Sequence, residues 1–150
     1  MQRIVKRSFA LATISVVAAW AGALTLEVGN PEANPEAKSM HAALVARVTA
    51  CREPAKSTVT ASAVQWQNGE ILRTPLKVVP LTTAGSFAVI GAVPQGGVID
   101  LAVSNPEYKN YQPRVLIRSD SHGVQMASVR RFYSVPPTDA DLKSILGASD

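Results

Sequence analysis

Apolar and polar residues alternate along most of the chain between Ala42 and Val135, in short runs cut by Gly, Pro and Asn. A period of two puts alternate side chains on opposite faces of a strand, so each run reads as a half-buried strand. The first is ALVARVTA and the second Ser57 to Gln67. Asn68-Gly69 then supplies a two-residue hairpin turn, both positions tolerating positive φ. ILRTPLKVVPL returns as a third strand, and Pro75 and Pro80 predict that it is an edge strand or a broken one. Ser86 to Ile90 follows with Phe87 and Val89 on one face, then a turn over Val93–Gly97, then Val98 to Val103 with Ile99, Leu101 and Val103 sharing a face. SNPEYKNYQ is a polar loop. Arg114 to Arg118 is another strand, SDSHG a turn, and VQMASVRRFYSV the last strand. About seven short strands at this spacing predict an all-β fold, a single two-layer antiparallel β-sandwich over residues 42–137. Residues 138–150 change rhythm to one short helix. Thr138 caps it, Asp139 and Asp141 sit in its first turn, Leu142, Ile145 and Leu146 form its apolar face, and Gly147 stops it. Such a face must dock, with covering a sandwich edge the expected role.

The N-terminus belongs to a different class of segment. Arg3, Lys6 and Arg7 precede an uncharged stretch from Ser8 to Leu24, and Ala21-Gly22-Ala23 offers the small residues a signal peptidase accepts. Residues 1–23 therefore read as a secretory signal peptide, with an uncleaved membrane anchor as the rival. Both orientations keep the basic end inside and export the remainder, to a periplasmic or extracellular location with attachment to the inner membrane only if the segment is retained. Residues 24–41, with Asn-Pro-Glu-Ala written twice, read as an extended, solvated linker.

Export changes the meaning of the charge. The chain carries 15 basic and 11 acidic residues, a formal +4, but three of the basic ones lie in the targeting segment. The exported part is nearly neutral and has no basic stripe interleaved with aromatics, which excludes a nucleic-acid partner. The single cysteine, Cys51, has no internal partner and reads as a small apolar residue in a strand, with a bridge between chains as the alternative.

The run Thr82 (or Thr83), Gly85, Phe87, Val89, Val93-Pro94, Gly96, Ile99, Leu101, Val103 and Tyr108 resembles the core of the carboxypeptidase regulatory-like domains, the transthyretin-like (prealbumin-like) β-sandwiches. The likeness covers Leu81 to Ile117 and extends loosely back to Ala42. The chain departs from the pattern at Glu107, where a loop glycine is typical, and at Ile99, where a tyrosine often starts the strand. The resemblance implies the sandwich fold and says almost nothing about activity. Two activities of related sandwiches are disfavoured. Iron-dependent ring cleavage needs two tyrosines and two closely spaced histidines, whereas His41 and His122 are far apart. Hydroxyisourate hydrolysis goes with a Tyr-Arg-Gly-Ser ending, where this chain has LKSILGASD.

The remaining chemistry is sparse. Asp120 and His122 could pair as an oriented base, though their neighbours are those of a polar turn. Trp66, Tyr108 and Tyr111 could present rings to a sugar or a protein. No metal-ligand spacing is found, and no cofactor is expected. The sequence thus predicts a non-enzymatic exported binding or scaffold module of a bacterial-type cell envelope. It would contact an envelope protein or a cell-wall glycan through Trp66, Tyr108, Tyr111, Asp120 and His122. The alternatives are a small periplasmic hydrolase built on Asp120 and His122, or an accessory subunit of a larger envelope complex docking through its terminal helix.

Overall fold

A computed structural model of the protein describes residues 24–147. The signal-peptide reading of residues 1–23 lies outside the described residues. Among those described, no helix is long and apolar enough to cross a membrane.

The fold is all-β and antiparallel. Nine strands form one curled sheet, β1 (Thr25–Gly29), β2 (Leu44–Thr49), β3 (Thr58–Gln67), β4 (Glu70–Pro80), β5 (Ser86–Ile90), β6 (Val98–Ser104), β7 (Arg114–Asp120), β8 (Gly123–Val124) and β9 (Arg130–Phe132). Their order is β1-β2-β5-β4-β3-β6-β7-β8, with β9 also on β7. β4 makes the sheet continuous: residues 70–76 pair with β3 and residues 77–80 with β5. Each half of β4 has a ladder on one side only, so Pro75 and Pro80 sit where a missing N–H is tolerated. The expected edge character is met, but in a strand that stays unbroken and changes partners midway.

The curl brings β1, β2 and β5 against β3, β6 and β7. Leu26, Leu44, Val89, Ile99, Leu101, Val103 and Ile117 fill one cluster between them, all nearly inaccessible. The period-of-two reading holds here: Phe87, Val89, Ile99, Leu101 and Val103 face this cluster, whereas Ala88 and Val98 point outward. The Asn68-Gly69 turn forms as expected, with φ of 53° and 83°. Gly85 also needs its hydrogen. Its φ is 76°, and a Cβ there would lie 2.6 Å from the Pro54 Cβ.

Three expectations need correction. Residues 24–41 are not an extended linker. Thr25 to Gly29 pair along β2, and Leu24 and Leu26 are buried in the core. The Asn-Pro-Glu-Ala copies each start a helical turn, since Asn at a cap and Pro at the first helical position suit a helix start. The Asn30 side chain accepts from the Glu32 N–H over a 3-10 turn at Pro31–Ala33, and Asn34 accepts from the Ala37 N–H at the start of α1 (Pro35–Ser39). Secondly, the last strand is not continuous. β8 and β9 are separated by a 3-10 turn at Met126–Ser128, because the Ser128 hydroxyl donates to the Gln125 carbonyl and accepts from the Arg118 N–H.

Thirdly, the terminal helix α2 (Asp139–Leu146) covers a sheet face rather than an edge. Thr138 caps its start as expected, Asp141 bonds back to make the cap a capping box, and Gly147 closes it at φ 68°. Leu142 and Ile145 pack on Val64, Val98 and Leu116, the outward residues of β3, β6 and β7. α1 does the same on the other limb, where the buried Ala37 meets Leu81 and Ala88. Each outer face of the curled sheet therefore carries one short helix.

Candidate functional site

The loop between β6 and β7 is organised by Asn105, a residue that sequence reasoning passed over. Its side chain is 4% exposed and makes bonds in three directions. The amide donates to the Ser57 Oγ at 2.8 Å and the Glu53 carbonyl at 3.1 Å, while its oxygen accepts from the Glu107 N–H at 2.9 Å. Two successive turns follow, Tyr108 N–H to the Asn105 carbonyl and Tyr111 N–H to the Tyr108 carbonyl. The Tyr108 hydroxyl donates to the Ala50 carbonyl at 3.3 Å, tying the loop to the turn after β2. Cys51 lies in that turn rather than in a strand. It is half-buried and packs against the main core.

These bonds hold Tyr108 and Tyr111 beside each other, ring centroids 6.5 Å apart and planes inclined by 54°. Both rings back onto the core cluster and are half-buried. Beside them runs a groove of about 610 Å³, lined also by Lys56, Thr58, Ser104, Lys109, Asn110 and Gln112. A second hollow of about 170 Å³ shares Asn110, Tyr111 and Gln112 with it and adds Tyr133, Ser134 and Pro136. All three tyrosines of the chain thus border two adjoining hollows that have Asn110, Tyr111 and Gln112 in common. Burial pushes the Tyr111 phenol above its ordinary value, with Tyr133 adding to the effect, so its hydroxyl stays a protonated donor at neutral pH. Lys56 is held charged by its hydrogen bond to Glu53 at 2.8 Å.

Asp120 and His122 lie elsewhere, in the β7–β8 turn. Asp120 Oδ1 accepts from the His122 N–H at 2.7 Å and from the Gln125 amide at 2.8 Å, which is the work of a turn-forming carboxylate. The His122 ring is 86% exposed, and its Nδ1 lies 3.6 Å from Asp120 and 3.3 Å from the Ser121 hydroxyl. Carboxylate and hydroxyl meet the same ring nitrogen. A relay needs one on each, so the trio does not form a nucleophile, base and orienting acid in series.

Trp66 is apart from both. It stands opposite Ile71 beside the Asn68-Gly69 turn, half-buried, with the Lys143 ammonium of α2 4.9 Å over its ring. The five residues singled out by sequence therefore separate into three places: Trp66 alone, Asp120 with His122 in a turn, and Tyr108 with Tyr111 beside a groove. Among the described residues no three His, Cys, Asp or Glu side chains converge as metal ligands would.

A further polar cluster gave no sequence signal. Asp100, 5% exposed on β6, receives Arg73 at 2.9 Å and a two-pronged contact from Arg114, one prong being Nε at 3.0 Å. Arg73 also reaches Asp139 of α2 at 3.9 Å. The buried carboxylate is fully engaged and links the sheet to the helix start.

Comparison with protein-family models, with curated proteins and with solved structures finds no match for this chain.

Proposed function

We propose that the protein is an exported, non-enzymatic binding module of a cell envelope, and that it holds its partner in the groove beside Tyr108 and Tyr111. That groove is the observation that carries the reading: two core-anchored rings, fixed by Asn105, beside an open depression lined by hydroxyls, amides and lysines. Concave sites with a few convergent polar groups are the usual seats of ligands. The hydrolase reading loses weight because Asp120 and His122 serve a turn. Docking through α2 loses weight because the apolar face of that helix is already spent on its own sheet.

The fold is read as a transthyretin-like two-layer sandwich, the layers being the two limbs that β4 joins. In support, Phe87, Val89, Ile99, Leu101 and Val103 all serve the core as the resemblance implies. Export is supported by the basic start and the uncharged run behind it. Leu24 and Leu26 belong to the folded core, which leaves residues 8–23 as the apolar run. That is shorter than the about 20 residues a spanning helix needs, and it favours a cleaved signal over an anchor.

Fractionation of cells producing the C-terminally tagged chain tests both parts. The mature protein is expected with a mass that starts at Leu24 and bound to the envelope fraction. Tyr108→Ala/Tyr111→Ala should lower the bound share tenfold or more, and His122→Ala should leave it unchanged. A mass retaining residues 1–23 would overturn cleavage, and full retention of the double tyrosine variant would overturn the groove.

A further inference from the structure

We infer, building on the binding-module reading, that the groove takes a linear glycan carrying carboxylate groups, with sugar rings laid along Tyr108, Tyr111 and Tyr133 and a carboxylate on Lys109. The site consists of two adjoining hollows. Its two parts meet at Asn110, Tyr111 and Gln112, so an occupant can run from the Tyr108 side past Tyr111 to Tyr133. Tyr133 is 44% exposed, an apolar surface at the far end of that path. Aromatic rings spaced along a track suit the C–H faces of successive sugars, each ring being apolar on its face and polar at its rim. The 6.5 Å separation and 54° inclination of Tyr108 and Tyr111 let them face different portions of a chain rather than clamp one ring.

The polar lining fits the same occupant. Thr58, Ser104, Asn110 and Gln112 can each donate and accept, as sugar hydroxyls and acetamido groups do. Charge narrows the class. No carboxylate lines either part of the depression, while two lysines line the larger part. Lys56 is paired with Glu53, but Lys109 makes no ion pair among the described residues and is exposed. Glu53 and Glu107 lie on the other side of Tyr108, with Glu53 paired to Lys56, so the Lys109 cation beside the hydroxyls and aromatics complements an anionic substituent. Most of the lining comes from the loop, and its two strand residues, Thr58 and Ser104, are already paired with each other, so they offer no free backbone ladder for an extended peptide.

Calorimetric titration of the tagged mature chain with four linear oligosaccharides tests the inference. The probes are an oligouronate, its carboxyl-reduced neutral counterpart, an N-acetylhexosamine oligomer bearing lactyl ether carboxylates, and the same oligomer without them. At least one carboxylated probe should bind saturably, and whichever binds identifies the source of the carboxylate. Its neutral counterpart should bind at least fivefold more weakly. Lys109→Ala should abolish that difference, and Tyr133→Ala, at an exposed position, should weaken the carboxylated probe at least threefold with an unchanged melting temperature. Equal binding of charged and neutral probes, or insensitivity to both substitutions, would overturn the inference. So would failure of all four probes to bind. If envelope retention nevertheless depends on Tyr108 and Tyr111, the binding-module reading stands with a protein as its partner. Loss of that dependence would overturn both.

Discussion

Asn105 shows how one buried side chain can set the site it borders. Its three bonds reach across 48 to 52 residues of sequence on one side and two on the other. They fix the loop bearing Tyr108 and Tyr111 against the segment before β3. Asn105→Ala would leave Ser57, itself 7% exposed, without its amide donor and the Glu107 N–H without its acceptor. A buried group losing its partner costs about 1–3 kcal/mol, so thermal unfolding should shift down by several degrees. The same variant should bind envelope less well than its stability loss alone explains, read at a temperature where both proteins are folded. Unchanged melting and unchanged binding would remove Asn105 from this role. The sequence made SNPEYKNYQ legible as a polar loop, and Tyr108 and Tyr111 legible as its aromatics. It could not show Ser57 and Glu53 as partners, because nothing local marks a contact across some fifty residues. Asp100 escaped for the same reason: its alternation with Ile99 and Leu101 reads as an outward polar residue, and only folding brings Arg73 and Arg114 over it.

At the scale of elements, end signals were more readable than destinations. Thr138, Asp141 and Gly147 act as their residue types predict. Where α2 goes depended on an outer face that Val64, Val98 and Leu116 leave apolar, which a period-of-two reading of separate strands does not assemble into one surface. The Asn-Pro-Glu-Ala pair carried cap chemistry in plain view, yet Pro and Asn serve linkers and helix starts alike. The Glu36 carboxylate accepting from the Thr82 N–H at 3.0 Å settles which it is. Because Leu142 is fully buried against the sheet, Leu142→Ala should cost about 2–5 kcal/mol in chemical denaturation. A cost under about 0.5 kcal/mol would mean that α2 is not docked. Acid should loosen the same helix. Hydrogen bonds from the Thr138 backbone and hydroxyl hold the Asp141 carboxyl below its ordinary 3.8. A depressed carboxyl contributes its full stabilisation above its unfolded value and loses it as pH falls through the folded one. Helix signal from α2 should therefore be constant from neutral pH to about 5 and decline below about 4, whereas Asp141→Ala should already lack the contribution at neutral pH.

For the whole molecule, the all-β class followed from alternation and turn chemistry, and the strand order did not. β5 lies between β2 and β4, and β3 lies between β4 and β6, an arrangement fixed by which faces bury together. β4 shows the limit most clearly: its prolines announced an unusual strand, but one strand serving two limbs is a property of the curl. The arrangement matters for function because the curl and the bonds of Asn105 bring Lys56, Thr58 and the 104–112 loop to one end of the molecule, while the Asp120–His122 turn remains a separate feature. The central claim is that this end, and not that turn, meets the partner. Site-specific crosslinking in living cells tests it most directly. A photoreactive residue is placed at Asn110 in one strain and at His122 in another, each on the full-length tagged chain. Illumination should give a higher-mass envelope adduct from position 110 and none from position 122. An adduct from position 122 with none from position 110 would contradict the account and move the site to the β7–β8 turn.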